Sequence, residues 1–360
     1  MDAPLAQNKD LYIFNLETNL DNPALAFTHD WITEFSKYYK RIFVYSFKVG
    51  RISLPSNVSV YELGSSSTLN RIKNLFIHFF ILLKIVFSRD KIQVFYHMNA
   101  RSAMLIGLPL KLFRINQILW YSHSAISKSL RLATLFVNGI VSTSMSSFPI
   151  STKKLHCTGH GVLFPDISRS FARGNSTIVF LGRVSRSKRI HELIPEIAKF
   201  NLGHVSTHLS LDILGPTLTS EDLHYQEELL RLADLYKVSI DFKGSIPKTE
   251  IYEKLSNYSI AYNGMVGTID KAAIESAYAG CYLVSDQGET LDQCGFHFEN
   301  QPEGTNLPSI SEQLESIFKM SENSLVQKKL SAIEYVIKNH SLSNTIAKIV
   351  LLLMKENPKN

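Results

Sequence analysis

Arg183, Lys188 and Glu275 are the side chains whose types and settings could do chemistry in this sequence. In "FLGRVSRSKRIHELI" Arg183 ends a predicted strand, and Lys188 follows five residues later at a predicted helix start. A planar guanidinium fork and a compact ammonium suit a diphosphate, and without a metal such cations would stabilise charge developing on a departing β-phosphate. The ordinary alternative is a solvated basic loop, since Arg186 and Arg189 lie in the same stretch. Further on, "GTIDKAAIESAYAGCYLVSD", residues 267–286, reads as a glycine loop, an acid-bearing helix, a glycine stop and a strand. The helix is expected to begin near Thr268 or Asp270, with Thr268 as an N-cap and Gly280 in the left-handed position that ends it. Such a start exposes unpaired backbone N–H groups and a favourable dipole, so the amides near Gly267 and Thr268 form an expected phosphate site. Glu275, about a turn further in, has two oxygens that can accept both hydroxyl protons of a ribose diol. Its ordinary alternative is a surface ion pair with Lys271 at i, i+4, worth about 0.3–0.5 kcal/mol.

Two histidines complete the set. "ILWYSHSA" puts His123 at the carboxyl end of a predicted strand over 117–123, and "VFYHMNAR" does the same for His97 over 92–97. Both imidazoles are expected to face a crevice, where a neutral ring can hydrogen-bond a sugar hydroxyl or orient an acceptor. A histidine among aromatics also fits a core position, and for His97 that is the stronger alternative. His160 in "CTGHGV" reads as structural.

Elements of one kind must position these residues. Short β-branched or aromatic runs recur at 11–15, 41–47, 58–63, 92–97, 117–123 and 139–144, with helical-period segments between several of them. Turn formers cluster at 159–176, which places a linker near 163–175. A second series follows, with strands at 177–183, 210–215, 240–244, 259–263 and 281–286. Pro195 requires the helix after the first of these to start close to His191 or to be kinked. Alternation of this kind predicts an α/β fold of two doubly wound parallel sheets, one over 1–165 and one over 170–335. A helical tail breaks near Asn339–Ser341 and leaves a last helix in 340–360. Ligands of such sheets sit beyond the carboxyl ends of the strands, so the active site is expected in a central cleft between the domains.

Composition narrows the partners. The 360 residues are 45% hydrophobic and 19% charged, which suits a globule and excludes disorder. A net charge of +6 fits phosphate-rich ligands or an anionic membrane surface and is too mild for nucleic acid. Cys157, Cys281 and Cys294 have no metal or disulfide spacing and are expected to be buried thiols of a reducing compartment. No signal peptide is read at the N-terminus, so the expected location is cytoplasmic. The stretch "RIKNLFIHFFILLKIVFSRDK", residues 71–91, is too short in its apolar core to span a bilayer. Flanked by Arg71, Lys73, Lys84 and Arg89, it reads either as an interfacial helix at the inner face of the cytoplasmic membrane or as a buried helix of an α/β layer.

With these elements in place, "FLGRVSRSK", "LDILG", "VSIDFKGSIPKTEIYEKLSNYSIAYN" and "GTIDKAAIESAYAGCYLVSD" resemble the C-terminal domain of retaining glycosyltransferases of family 4, which have the GT-B fold. The resemblance covers about 177–290 in order and spacing, and the first half matches in layout only. It implies that Arg183 and Lys188 hold the donor diphosphate and that Glu275, the second glutamate of an E-x7-E motif, holds the ribose. His123 is similar to a crevice histidine of the family, with His97 a further acceptor-side candidate. The first glutamate of the motif falls at Gly267, so its role passes to Asp270 or Lys271 or is absent, and "DKAAIE" is similar to polysaccharide-cluster members. The implied reaction is metal-independent hexosyl transfer from a nucleotide diphosphate sugar to a glycan or lipid-linked acceptor, with retention, no cofactor beyond the donor, and the last helix packing back on the first domain. Gly267 also supports an alternative, a GT-B-shaped binding or assembly subunit without turnover. The sequence has no G-x-G-x-x-G followed by an acid, no Asp-x-Asp, no zinc-like cluster and no G-x-S-x-G, which excludes the corresponding dehydrogenase, GT-A, zinc and serine-hydrolase readings.

Overall fold

The computed structural model describes residues 6–22, 25–64, 68–88, 91–169, 171, 176–204, 207–297 and 307–355. Gly174 and Asn175 of the predicted linker, and Arg89 of the apolar stretch, lie outside them. The chain forms two compact units: Met1–Leu163 with Asn339–Asn360, and Phe164–Lys338.

The first unit runs β1 (Ala6–Thr18), α1 (Phe27–Ser36), β2 (Tyr39–Val49), β3 (Val58–Glu62), α2 (Thr68–Phe87), β4 (Ile92–His97), α3 (Ala100–Leu112), β5 (Gln117–Trp120), α4 (Lys128–Phe136), β6 (Gly139–Ser142) and β7 (Leu155–Cys157). Its seven strands are parallel in the order β3-β2-β1-β4-β5-β6-β7. Because successive strand residues face opposite sides, Tyr12 and Phe14 enter one core while Leu11 and Ile13 enter the other. The first core is roofed by α2, α3 and α4, and the second by α1. Continuous apolar runs are what a sheet covered on both faces demands. β1 is longer than the expected 11–15 because its polar ends find partners: Asp10 pairs with Arg41 at 2.6 Å, and Asn15, Thr18 and Ser46 bond one another. β7 was not expected; it is three residues long on the sheet edge, and it exposes Cys157, against the expectation of a buried thiol. Cys281 and Cys294 are buried.

The second unit runs β8 (Thr177–Leu181), α5 (Ile190–Gly203), β9 (Ser210–Leu214), α6 (Ser220–Tyr236), β10 (Ile240–Gly244), α7 (Ile251–Leu255), β11 (Ile260–Tyr262), α8 (Lys271–Ala279), β12 (Tyr282–Val284), α9 (Gly288–Gln293), α10 (Ile310–Lys319) and α11 (Glu322–His340), whose last two residues belong to the first unit. The parallel order is β10-β9-β8-β11-β12, so the winding reverses between β8 and β11. α5 starts at Ile190, one residue before His191, and holds Pro195 inside it. The tail breaks where expected, with α12 (Leu342–Met354) starting after Ser341. α12 belongs to the first unit, where Leu342, Ile346, Ile349, Val350 and Leu353 fill the core beside α1. Burying each such side chain stabilises by about 1.5–3 kcal/mol.

Candidate functional site

In a doubly wound sheet the loops that leave the two strands at the reversal splay apart and open a crevice at their carboxyl ends. Here these are the loop after β8, which carries Arg183 and Lys188, and the loop after β11, which leads through Gly267 and Thr268 into α8. The two loops touch: Tyr262 Oη donates to the Arg189 carbonyl at 3.0 Å, and Lys188 Nζ pairs with Asp270 Oδ2. Lys188 lies in a single 3-10 turn, Arg186–Lys188, that aims it across β8 toward β11.

The N-cap of α8 is Asp270, not Thr268. Its side chain accepts from the Ala272 amide at 3.3 Å and from Asn263 Nδ2 at 3.2 Å. A carboxylate with neighbouring donors outcompetes a hydroxyl there, and it brings negative charge to the positive end of the helix. Burial would raise the Asp270 pKa, but the Lys188 ammonium and the surrounding donors outweigh it and hold the carboxyl below its ordinary value. The pair is largely withdrawn from water, with side-chain exposures of 16% for Lys188 and 14% for Asp270. At the other end Gly280 ends α8 with φ +96°, as expected.

Glu275 forms its i, i+4 pair, but away from the surface. The Lys271–Glu275 pair forms at 2.9 Å, yet Glu275 is only 6% exposed, so this is no surface pair. Tyr252 of α7 donates to the same oxygen at 3.4 Å. The structure therefore joins Lys188 to Asp270, and Lys271 to Glu275, along one helix. Gly267 is exposed with φ +76°, so the chain here takes a backbone conformation that a glutamate at this position would adopt only under strain.

Arg183 departs from the expectation that it and Lys188 turn into the same space. It pairs on the opposite flank of β8, where Nε and one terminal nitrogen donate to Asp222 of α6 at 2.7 and 3.1 Å. Asp222 also closes a capping box with Thr219. The Arg183 guanidinium, with backbone N–H donors from Leu218 and Thr219, holds that carboxyl down at about 2. The sequence carries the signal for this partner in Thr219-Ser-Glu-Asp222, a capping-box spacing. Arg189, which the sequence treats as part of a solvated loop, pairs with Asp286 after β12 at 2.7 Å. Arg186 pairs with Glu228 and lies over the Tyr225 ring at 5.3 Å. The basic loop is thus matched by carboxylates from three sides.

In the first unit the histidines separate. β5 ends at Trp120, so His123 lies three residues beyond the strand on an exposed loop. Its Nδ1 accepts from the Ala125 amide at 2.9 Å. His97 is corrected from a crevice residue to a core one: it is 4% exposed and packs against Trp31 at 4.7 Å and Trp120 at 4.9 Å, with Nε2 unpartnered. Burial first, then the nearby His160, pushes its pKa down to about 3, so the ring is neutral at ordinary pH. Among the described residues no group of three His, Cys, Asp or Glu could hold a metal ion, and no helix is long and apolar enough to cross a membrane.

No known protein family matches the chain, and no curated protein does. Solved structures do match it. The chain is similar to a glycosyltransferase from Rickettsia africae, with a TM-score of 0.67 at 14% identity over 97% of this chain and 100% of that one. It is similar to Anabaena HepE in complex with UDP and glucose, with a TM-score of 0.65 at 12% identity over 94% and 97%. TarM gives 0.69 at 9% identity over 96% and 99%. At such identities the likeness is one of fold, and the fold class expected from the sequence is the one found: α/β, with two Rossmann-like units of the GT-B type.

Proposed function

We propose that this chain is a hexosyltransferase that moves a sugar from a nucleotide diphosphate donor to a hydroxyl of a glycan or lipid-linked acceptor, with retention and without a metal, in surface polysaccharide biosynthesis. The observation that carries the reading is Lys188 beside the capped start of α8, at the reversal between β8 and β11. A diphosphate entering there exchanges for the Asp270 carboxylate on the same cation, and the amides near Gly267 and Thr268 receive its oxygens. Glu275, held by Lys271 and Tyr252, takes the ribose diol. Arg183 contributes once it leaves Asp222, and Asp270 or Lys271 stands nearest the transferred sugar in place of the family's first glutamate. His123, exposed on its loop, is assigned to the acceptor. The crystallised complexes of HepE with UDP and with UDP-glucose support a nucleotide-sugar donor for this fold. A membrane contact through 71–91 on the cytoplasmic side completes the reading.

Thermal shift with UDP-, GDP- and ADP-sugars tests it first, because a ligand bound only by the native state raises the melting temperature. The expected result is a rise with one donor class, reduced in Lys188→Ala and Glu275→Ala, and donor turnover that both variants lose. No response to any of the three sinks the reading. Donor binding with no transfer or hydrolysis would point to a binding subunit.

A further inference from the structure

We propose that the outer face formed by α2, α3 and α4 of the first unit is a docking surface for an anionic lipid bilayer. This deepens the membrane contact of the preceding reading, which invoked α2 alone, and it stands independently of the donor chemistry. The starting observation is the outward side of α2, where Leu75, Phe76, Phe79, Phe80, Leu83 and Phe87 are all exposed, Phe80 at 64% and Phe87 at 86%. Their spacings of three, four and eight residues place them along one flank of the helix. The opposite flank is accounted for: Ile81 and Ile85 enter the core, and buried His78 bonds Ser102 of α3 at 2.9 Å. α2 is therefore seated on its layer by one flank and turns its aromatic flank outward.

The patch continues beyond α2. All three helices cross back antiparallel to parallel strands, so their carboxyl ends lie along the same edge of the sheet. There α3 exposes Leu112, at 74%, and Phe113 follows it, while α4 exposes Leu132 and Leu135. Lys111 donates to the Leu135 carbonyl at 2.9 Å, which ties the ends of α3 and α4 together, and Lys154, just before β7, donates to the carbonyls of Thr134 and Val137 at the end of α4. Exposed large apolar side chains drawn from three adjacent elements mark an interaction surface rather than the scattered single residues of an ordinary exterior.

Charge identifies what covers it. Between Glu62 and Asp166 the sequence has twelve lysines and arginines and one acidic residue, Asp90. Lys73, Lys84, Lys111, Arg114, Lys128 and Arg131 are exposed on or beside the three helices. A second protein copy would bring the same positive charge to the interface and repel it, whereas a bilayer with anionic headgroups supplies the opposite charge and an apolar layer below it. None of the three helices can cross the bilayer, so the face lies on it.

Flotation of the full chain with vesicles tests the proposal. Vesicles of equal parts phosphatidylcholine and phosphatidylglycerol are expected to carry the protein, those of phosphatidylcholine alone to carry little, and salt to release it. The triple variant Phe76→Ser, Phe79→Ser, Phe80→Ser should abolish flotation, and Leu112→Ser with Leu135→Ser should weaken it several-fold. Lys73→Gln and Arg131→Gln should each lower partitioning about fivefold. Every variant should keep the wild-type thermal shift with nucleotide sugar, which shows that it is folded and separates failure of docking from failure of the donor reading. Absence of flotation with anionic vesicles, equal flotation with neutral ones, or a self-association dissolved by the phenylalanine changes would overturn the proposal. Wild-type flotation of the Leu112, Leu135 variant would overturn the three-helix surface.

Discussion

Replacing Asp270 by Asn removes the carboxylate that holds Lys188 while keeping a side chain that caps α8 well. Loss of one partner from a fully buried ion pair costs about 3–5 kcal/mol, because the remaining charge is left uncompensated. Residual water access at Lys188 and Asp270 lowers that to about 2–3 kcal/mol here. For a unit of this size the melting temperature falls about 2–4 °C per kcal/mol, or about 4–12 °C in all. If Lys188 faces the donor diphosphate, the bound anion replaces the missing charge, so UDP recovers part of the loss. Recovery of half of it, about 1.4 kcal/mol, corresponds to a Kd about tenfold tighter than that of the wild type. Scanning fluorimetry with and without UDP, together with calorimetric titration, reads both quantities. Asp270→Ala serves as the control, losing about a further 1 kcal/mol with the cap. A variant that is destabilised yet binds UDP no better than the wild type would refute the assignment of Lys188 to the phosphate.

Two further predictions concern groups buried away from the site. The folded pKa of His97, about 3, lies below its unfolded value of about 6.5, so between them the unfolded chain binds the extra proton and stability falls as pH falls. From pH 7 to pH 4.5 this group removes about 2–3 kcal/mol, and urea unfolding of His97→Gln should show a correspondingly smaller acid loss; an equal loss would contradict it. Lys329 is fully buried against Ser259 at 2.8 Å, and burial lowers its pKa, with Cys281 opposing. Stability should therefore climb as pH rises through the folded pKa toward the unfolded value of about 10.4, and Lys329→Met should flatten that climb and gain on the order of 1 kcal/mol at pH 7. Denaturant curves at pH 7 and pH 10 that run parallel for both proteins would contradict it.

What could be read in advance divides by whether the deciding partner is near in sequence. β4 was legible residue for residue over 92–97 because β-branched and aromatic residues dominate that run of strand length. The ends of β1 were not, since Asn15 and Thr18 are satisfied by Ser46, about thirty residues away. At the candidate site the spacing of Asp270, Lys271 and Glu275 could be read from helical geometry, as could the left-handed stop at Gly280. The choice of Asp270 over Thr268 as cap was decided by Lys188 and Asn263, which arrive from other loops. Arg183 and Lys188 look equivalent in the sequence, and only the carboxylates of Asp222 and Asp270 on opposite flanks of β8 send them apart. His97 and His123 look alike in the sequence, but β5 stops at Trp120 short of His123, and Trp31, contributed by α1, and Trp120 enclose His97 alone.

The placement of α12 has a consequence for how the chain is made. Leu342, Ile346 and Val350 fill a core whose other walls are complete nearly two hundred residues earlier, and the Leu353 carbonyl accepts from Gln93 and Asn116. A ribosome therefore releases the whole of Phe164–Lys338 before the first-made half of the protein receives its last wall. Until then its exposed apolar sheet is a substrate for chaperones, and a nonsense codon at the start of α12 strikes the first-made unit.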